Sequence, residues 1–326
     1  MKKILALLLA LWIPAAVLSG CAPQDDSAAS NKLNIVTTIF PAYDWVREIL
    51  GDETDRAEIT TLLDSGVDLH SYQPTVDDIV KISNCDLFLY VGGESDGWVE
   101  DALKNAPNKD RKVIRLLDVL GDSAKAEETV AGMQEEEHDH EEEAEYDEHI
   151  WLSLKNAQVL VAAISEALQE SDPARKGTYA ANAAAYAEKL SALDGEYRAA
   201  VDSGKYKTLL FGDRFPFRYL ADDYGLDYYA AFPGCSAETE ASFETVSFLA
   251  GKMDALGLPC VLTIEGTQHK IAETVVQNTA QKNQQVLTMD SMQAVTANDA
   301  ASGVSYLSIM EKNLSVLKKA LGQEAE

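Results

Sequence analysis

The sequence predicts an α/β protein: two βα lobes with parallel-type sheets, joined by one long rigid linking helix. Three observations carry this. Short apolar runs alternate with helical segments, as expected of parallel strands and their crossover helices. That alternation occurs twice, on either side of a central region of different character. Within that region Tyr179, Ala183, Tyr186, Leu190, Leu193, Tyr197 and Ala200 recur at alternating spacings of four and three. Such spacing draws one apolar stripe along a helix of about seven turns.

Residues 1–20 read as an export signal. Lys2 and Lys3 precede an apolar run, Ile4 to Leu18, that is too short to span a bilayer comfortably and ends at Ser19-Gly20 before Cys21. Residues 21–31 are small and polar, as a flexible tether would be. The first lobe is expected over 32–171. Its strand candidates are Leu33 to Thr38, Ala57 to Leu63, Leu87 to Val91 and Val113 to Leu116, with helices at Tyr43 to Leu50, Val76 to Ser83 and Trp98 to Asn105. Thr75 with Asp78 three residues on is a capping pair.

An acidic loop, 122–148, interrupts this pattern. From Glu127 to Glu148 there are twelve Asp or Glu, two His (His138 and His140) and no Lys or Arg. A charge block of this kind is expected to be solvated. It runs into Ile150-Trp151-Leu152, which looks like a buried strand.

The linking helix is assigned to 172–203, with Asp172-Pro173 as cap and first-turn proline and Gly204 just past its end. A single stiff helix restricts hinge opening, so modest domain motion is expected. The second lobe, 204–326, repeats the alternation. Strands are expected at Thr208 to Phe211, Leu226 to Ala231, Val261 to Ile264 and Val286 to Thr288, and helices near Phe217 to Tyr224, Phe243 to Leu256, Ile271 to Gln281 and Ser305 to Leu321.

Acids outnumber bases by 54 to 27. That balance repels nucleic acid and anionic membrane surfaces and concentrates cations. Setting Cys21 aside leaves Cys85, Cys235 and Cys260, an odd number without CxxC spacing, so neither a disulfide framework nor a thiolate zinc knuckle is indicated. Cys85 reads as a small core residue. A Cys235 to Cys260 bridge has no support from spacing.

The chemistry gathers around scarce histidines. Three of the five (His138, His140 and His149) fall in or beside the acidic loop. Imidazole is the commonest ligand for borderline transition metals, and neighbouring carboxylates supply charge and orienting hydrogen bonds. Metal is therefore the first hypothesis. Ligands of open α/β sheets bind at the carboxyl ends of strands. His70, in the loop Gly66 to Pro74, and Asp290, just beyond Leu287-Thr288-Met289, stand at such ends.

Together these segments resemble the solute-binding proteins of zinc and manganese ABC importers, the cluster with a rigid linking helix. The markers are Ile35-Val36-Thr37-Thr38-Ile39-Phe40-Pro41, the segment Gly66 to Pro74, Asp86 to Gly93 and Asp147-Glu148-His149-Ile150-Trp151-Leu152. Further markers are Asp172-Pro173, Asn182 to Tyr186, Tyr219-Leu220, Tyr224-Gly225-Leu226, Glu265 and Ala272-Glu273-Thr274. Leu18-Ser19-Gly20-Cys21 similarly resembles a lipobox, which implies acylation of Cys21 and membrane anchoring outside the cytoplasm.

The resemblance implies that His70, His149 and Asp290 are metal ligands. It also implies that the acidic loop corresponds to the family's His-rich insertion, which would bind Zn²⁺ weakly. The fourth family ligand falls on Gly212, which cannot coordinate. Glu240, beside Cys235 and Glu238 in the loop after Leu226 to Ala231, is the substitute expected here. Asp213 is expected to cap the next helix, Arg214 would oppose a cation unless paired, and His269 should begin a helix facing water.

The implied function is capture of Zn²⁺, or alternatively Mn²⁺, between two lobes and delivery to an ABC permease and its ATPase, by a monomer that is not an enzyme and binds no nucleic acid. Protonation of the imidazoles would weaken capture at roughly pH 5 to 6. The alternatives are an extracellular adhesin or metal buffer and a zinc hydrolase, the latter opposed by the absence of HExxH and G-x-S-x-G patterns.

Overall fold

The eight strands predicted within the two βα alternations form, and they assemble into two separate parallel sheets of four. The computed structural model describes residues 32–104, 106–134, 145–236, 240–266 and 269–323. The expected signal peptide, the tether with Cys21, and His138, His140 and Glu238 lie outside the described residues.

In the first lobe β1 (Leu33–Thr37), α1 (Phe40–Leu50), β2 (Ala57–Thr61), α2 (Val76–Asn84), β3 (Leu87–Tyr90), α3 (Val99–Lys104), β4 (Lys112–Arg115) and α4 (Leu116–Leu120) follow in turn. The strand order is β2-β1-β3-β4. Thr75 and Asp78 form the expected reciprocal cap at the start of α2. The central strands are apolar because both faces are covered: Ile35, Leu87, Phe88 and Leu89 are all buried.

The region before the linking helix differs from expectation. Ile150–Leu152 is a single 3₁₀ turn, and an 18-residue helix follows it, α5 (Leu154–Ser171). Leu154, Ala157, Leu160, Val161, Ile164 and Leu168 are buried at helical spacing, and the Ser153 hydroxyl caps the helix by accepting the Asn156 N–H. The three apolar residues before it are buried in a turn, without strand pairing.

Pro173–Arg175 then makes a second 3₁₀ turn, so the long helix α6 starts at Lys176 and ends at Ser203. Asp172 instead accepts the Tyr179 hydroxyl. The Ser165 hydroxyl donates to the Tyr179 carbonyl, tying α5 to α6 as a hairpin. All seven residues of the predicted stripe are buried. Each large side chain there contributes about 1.5–3 kcal/mol of burial free energy, which makes α6 a shared spine of the molecule.

The second lobe runs β5 (Thr208–Phe215), α7 (Arg218–Tyr224), β6 (Asp227–Pro233), α8 (Phe243–Leu256), β7 (Cys260–Ile264), α9 (Lys270–Asn278), β8 (Gln285–Met289), α10 (Ala297–Ala301) and α11 (Tyr306–Ala320). Its order, β6-β5-β7-β8, repeats that of the first sheet. The lobes are tied together near α6. Trp151 Nε1 donates to the Ser291 carbonyl, the Tyr306 hydroxyl to the Trp151 carbonyl, and the Tyr306 N–H to Asp44.

The acidic loop is anchored where it is described. Asp147 N–H donates to the Lys125 carbonyl and Gln134 N–H to the Ala231 carbonyl, while Arg218 pairs with Glu128 and Lys125 with Asp222. Residues 125–134 therefore lie against the second lobe, in contrast to the solvated loop expected from charge alone. Cys85, Cys235 and Cys260 are free thiols, so the Cys235 to Cys260 bridge does not form. Among the described residues no helix is long and apolar enough to cross a membrane.

Candidate metal centre

Two imidazoles meet at the carboxyl ends of the first sheet. His70 sits in the 3₁₀ turn Leu69–Ser71, whose cap Asp68 accepts the His70 N–H at 3.0 Å. His149 precedes the turn Ile150–Leu152 and is fully buried. Their Nε2 atoms lie 3.2 Å apart.

The outer nitrogen of His149 is held by a carboxylate and that of His70 by a hydroxyl with a carboxylate beside it. His149 Nδ1 is 2.9 Å from Asp147 Oδ1, the oxygen that also accepts the His149 backbone N–H. An acceptor-only oxygen places the ring proton on Nδ1 and leaves the Nε2 lone pair directed at His70. His70 Nδ1 has Ser95 Oγ at 2.9 Å and Glu148 Oε2 at 3.3 Å.

The His149 Nε2 lone pair thus faces His70 Nε2, and with the His70 proton on Nδ1 a second lone pair would face it, an arrangement that a shared cation stabilises. Two Zn–N bonds of about 2.05 Å at the tetrahedral angle span about 3.3 Å, close to the gap observed. The carboxylate–histidine pairing is the arrangement that fixes tautomer and orientation in metal sites.

Burial, reinforced by the electrostatic coupling to the neighbouring His149 ring, pushes the His70 pKa down to about 3. The ring is therefore neutral and ready to coordinate across physiological pH. Its protonation sets in well below the pH 5 to 6 expected from an unperturbed imidazole. Burial raises Glu148 to about 7, against the opposing effect of its Ser95 hydrogen bonds.

The donor that joins the imidazoles is Cys235. Among the described residues, His70, His149 and Cys235 form the one group of three or more His, Cys, Asp or Glu whose ligand atoms all lie within 4.8 Å of one another. Cys235 follows β6, and its N–H donates to Glu127 of the acidic loop at 2.8 Å. Gly234 makes the approach feasible: a Cβ there would stand 2.8 Å from the Phe215 carbonyl and 3.3 Å from the His149 ring. A cavity of about 650 Å³ opens from this point, lined by His70, Glu94, Ser95, Glu127, Glu148 and Cys235.

Asp290 and Glu240 stand outside that group. Asp290 follows β8, and its Oδ1 accepts the Met292 N–H in a local turn. Burial, with Glu265 beside it, raises its carboxyl to about 6. Glu240 lines a neighbouring cavity of about 590 Å³ with Asp68, Gly212, Arg214, Glu265 and His269. His269, with a left-handed φ of 54°, precedes α9 as expected but faces this cavity.

Gly212 lies within β5, where an added Cβ would come within 2.5 Å of the Ala272 Cα. No side chain fits there without moving α9. Asp213 is not the cap of α7, whose N-cap residue is Phe217, and its carboxylate accepts the Arg214 and Ile264 N–H groups. Arg214 bridges the lobes through an ion pair with Asp68, and its Nη1 donates to the Ser236 carbonyl. Although burial alone would raise Asp68, the Arg214 charge and hydrogen bond outweigh it and hold that carboxyl below its usual range.

Comparison with known proteins agrees with this architecture. The family described as "ZnuA: Zinc-uptake complex component A periplasmic" matches residues 35–320. The zinc-binding lipoprotein AdcA of Streptococcus pneumoniae is 33% identical over 329 residues, covering 99% of this chain and 62% of that protein, so the chain spans less than two thirds of that relative's length. The high-affinity zinc uptake system protein ZnuA of Bacillus subtilis is 28% identical, covering 89% of this chain and 88% of the relative. The crystal structure of the Zn(II)-bound ZnuA-like domain of Streptococcus pneumoniae AdcA superposes with a TM-score of 0.70 at 30% identity, covering 90% of this chain and all of that one.

Proposed function

The chain belongs to the ZnuA family of periplasmic zinc-uptake components, and from that premise we propose that it is an extracytoplasmic receptor that captures Zn²⁺ and delivers it to an ABC importer. The observation that carries the proposal is the His70–His149 pair, with Nε2 atoms 3.2 Å apart and outer nitrogens turned to carboxylates. Neutral imidazoles favour zinc, whereas manganese prefers a more oxygen-rich, higher-coordinate shell. Relatives bearing zinc-binding names support the same cargo.

In this proposal the ion reaches the paired rings through the acid-lined cavity, and Asp290 is a second-lobe carboxylate ligand. Export, acylation at Cys21 and monomeric docking on a permease with its ATPase complete the reading. Catalysis has no place in it, since the family description is that of an uptake component.

The test is metal analysis of the purified chain beside His70→Ala, His149→Ala, Asp290→Ala and Glu240→Ala. One zinc per chain, lost in both histidine variants, is expected. Retention of stoichiometric zinc in His149→Ala would refute the assignment. The two carboxylate variants decide whether Asp290 or Glu240 contributes to the site.

A further inference from the structure

The end of β5 offers the cleft a cation rather than a donor, because Arg214 is committed to Asp68 and to the Ser236 carbonyl. From the second lobe it is the Cys235 thiol that comes to the two imidazoles. The approach is built into the fold. Gly234 leaves room beside the His149 ring, where a Cβ would stand 3.3 Å from it, and the Glu127 carboxylate fixes the Cys235 N–H at 2.8 Å.

We propose that Cys235 Sγ is a metal ligand of this site and that it sets the site's preference for zinc and other thiophilic cations over manganese. The proposal rests on the receptor reading of the same site. On capture the S–H bond breaks, the sulfur electron pair passes to the cation, and the proton leaves to solvent. No redox partner is involved. Thiolate suits zinc, while manganese is held by oxygen donors.

Tetrahedral zinc with bonds of about 2.3 Å to sulfur and about 2.05 Å to nitrogen sets sulfur about 3.6 Å from each ring nitrogen. All three ligand atoms already lie within 4.8 Å, so the loop has at most about 1.2 Å to close. The negative surroundings have the same sense. Burial, then Asp147, Glu127 and Glu148, hold the free thiol protonated, and a dication offsets those charges when it enters.

The full chain loaded with Co²⁺, beside Cys235→Ser, tests this directly. The unmodified chain should show sulfur-to-cobalt charge-transfer absorption in the near ultraviolet, and Cys235→Ser should lose it. Chelator competition should show zinc binding about tenfold or more weaker in the variant, with manganese binding changed by less than about threefold. Absence of the charge-transfer band in a chain holding one cobalt, or an unchanged zinc-to-manganese ratio in Cys235→Ser, overturns the role of the thiol and leaves the receptor reading standing. Stoichiometric zinc that survives His149→Ala overturns both.

Discussion

Replacing Asp147 by Asn removes one negative charge while keeping the side chain's shape. Asp147 is almost fully buried, and a single oxygen accepts both the His149 N–H and its Nδ1–H, each at 2.9 Å. The asparagine oxygen can still accept from Nδ1, so the tautomer is preserved and chiefly the charge assistance is lost. A hydrogen bond to a charged group contributes about 1.5–3 kcal/mol against about 1 for a neutral one. The difference, about 0.5–2 kcal/mol, corresponds to zinc binding weaker by about 2- to 30-fold. Competition with a coloured chelator reads that loss, and urea unfolding of the metal-free variant shows whether the fold itself has changed. Unaltered zinc affinity in a folded Asp147→Asn chain would refute the idea that the charge of this carboxylate strengthens zinc binding through His149.

The metal-free chain should be more stable at pH 5 than at pH 7.5. Burial raises Asp44, Asp96 and Asp290 to about 6 and Glu148 to about 7, so the folded state binds more protons than the unfolded chain in this window, and stability falls as pH rises through these values. His70, lowered to about 3, acts in the opposite sense, losing stability as pH falls below about 6.5. Four raised carboxyls outweigh one lowered imidazole by on the order of a few kcal/mol, and chelated urea melts at the two pH values would contradict this if the higher pH gave the higher midpoint. Gly212→His should add no ligand and should lower the melting temperature, because its Cβ would press on the Ala272 backbone at 2.5 Å, at a cost of about 1–3 kcal/mol. A stable variant with tighter zinc binding would show instead that the position faces the site.

Much of the fold was legible in the sequence because strands buried on both faces are written as short apolar runs, and α6 carries a stripe that only a helix can bury on one side. Helix α5 was legible too, from Ser153 as cap and the spacing of Leu154, Ala157, Leu160, Val161, Ile164 and Leu168. Ile150-Trp151-Leu152 masked it, since three apolar residues look alike in a strand and in a buried turn. His70 and His149 could be found because histidine is scarce and both stand where loops leave the sheet. Cys235 was overshadowed by Glu240 because a loop's sequence does not say which of its residues the chain turns inward. That choice depends on the room Gly234 leaves beside the His149 ring, a juxtaposition of segments 85 residues apart in number and set by packing of the two lobes. The Arg214–Asp68 pair is likewise a product of tertiary placement, and it accounts for a guanidinium near the proposed metal site.

Crystals of the full chain grown with zinc and measured on either side of the zinc absorption edge give the most direct test. The expected result is one anomalous peak between the two rings, about 2.0–2.1 Å from His70 Nε2 and His149 Nε2. A peak elsewhere, with those nitrogens still facing each other and no ion between them, would contradict the account.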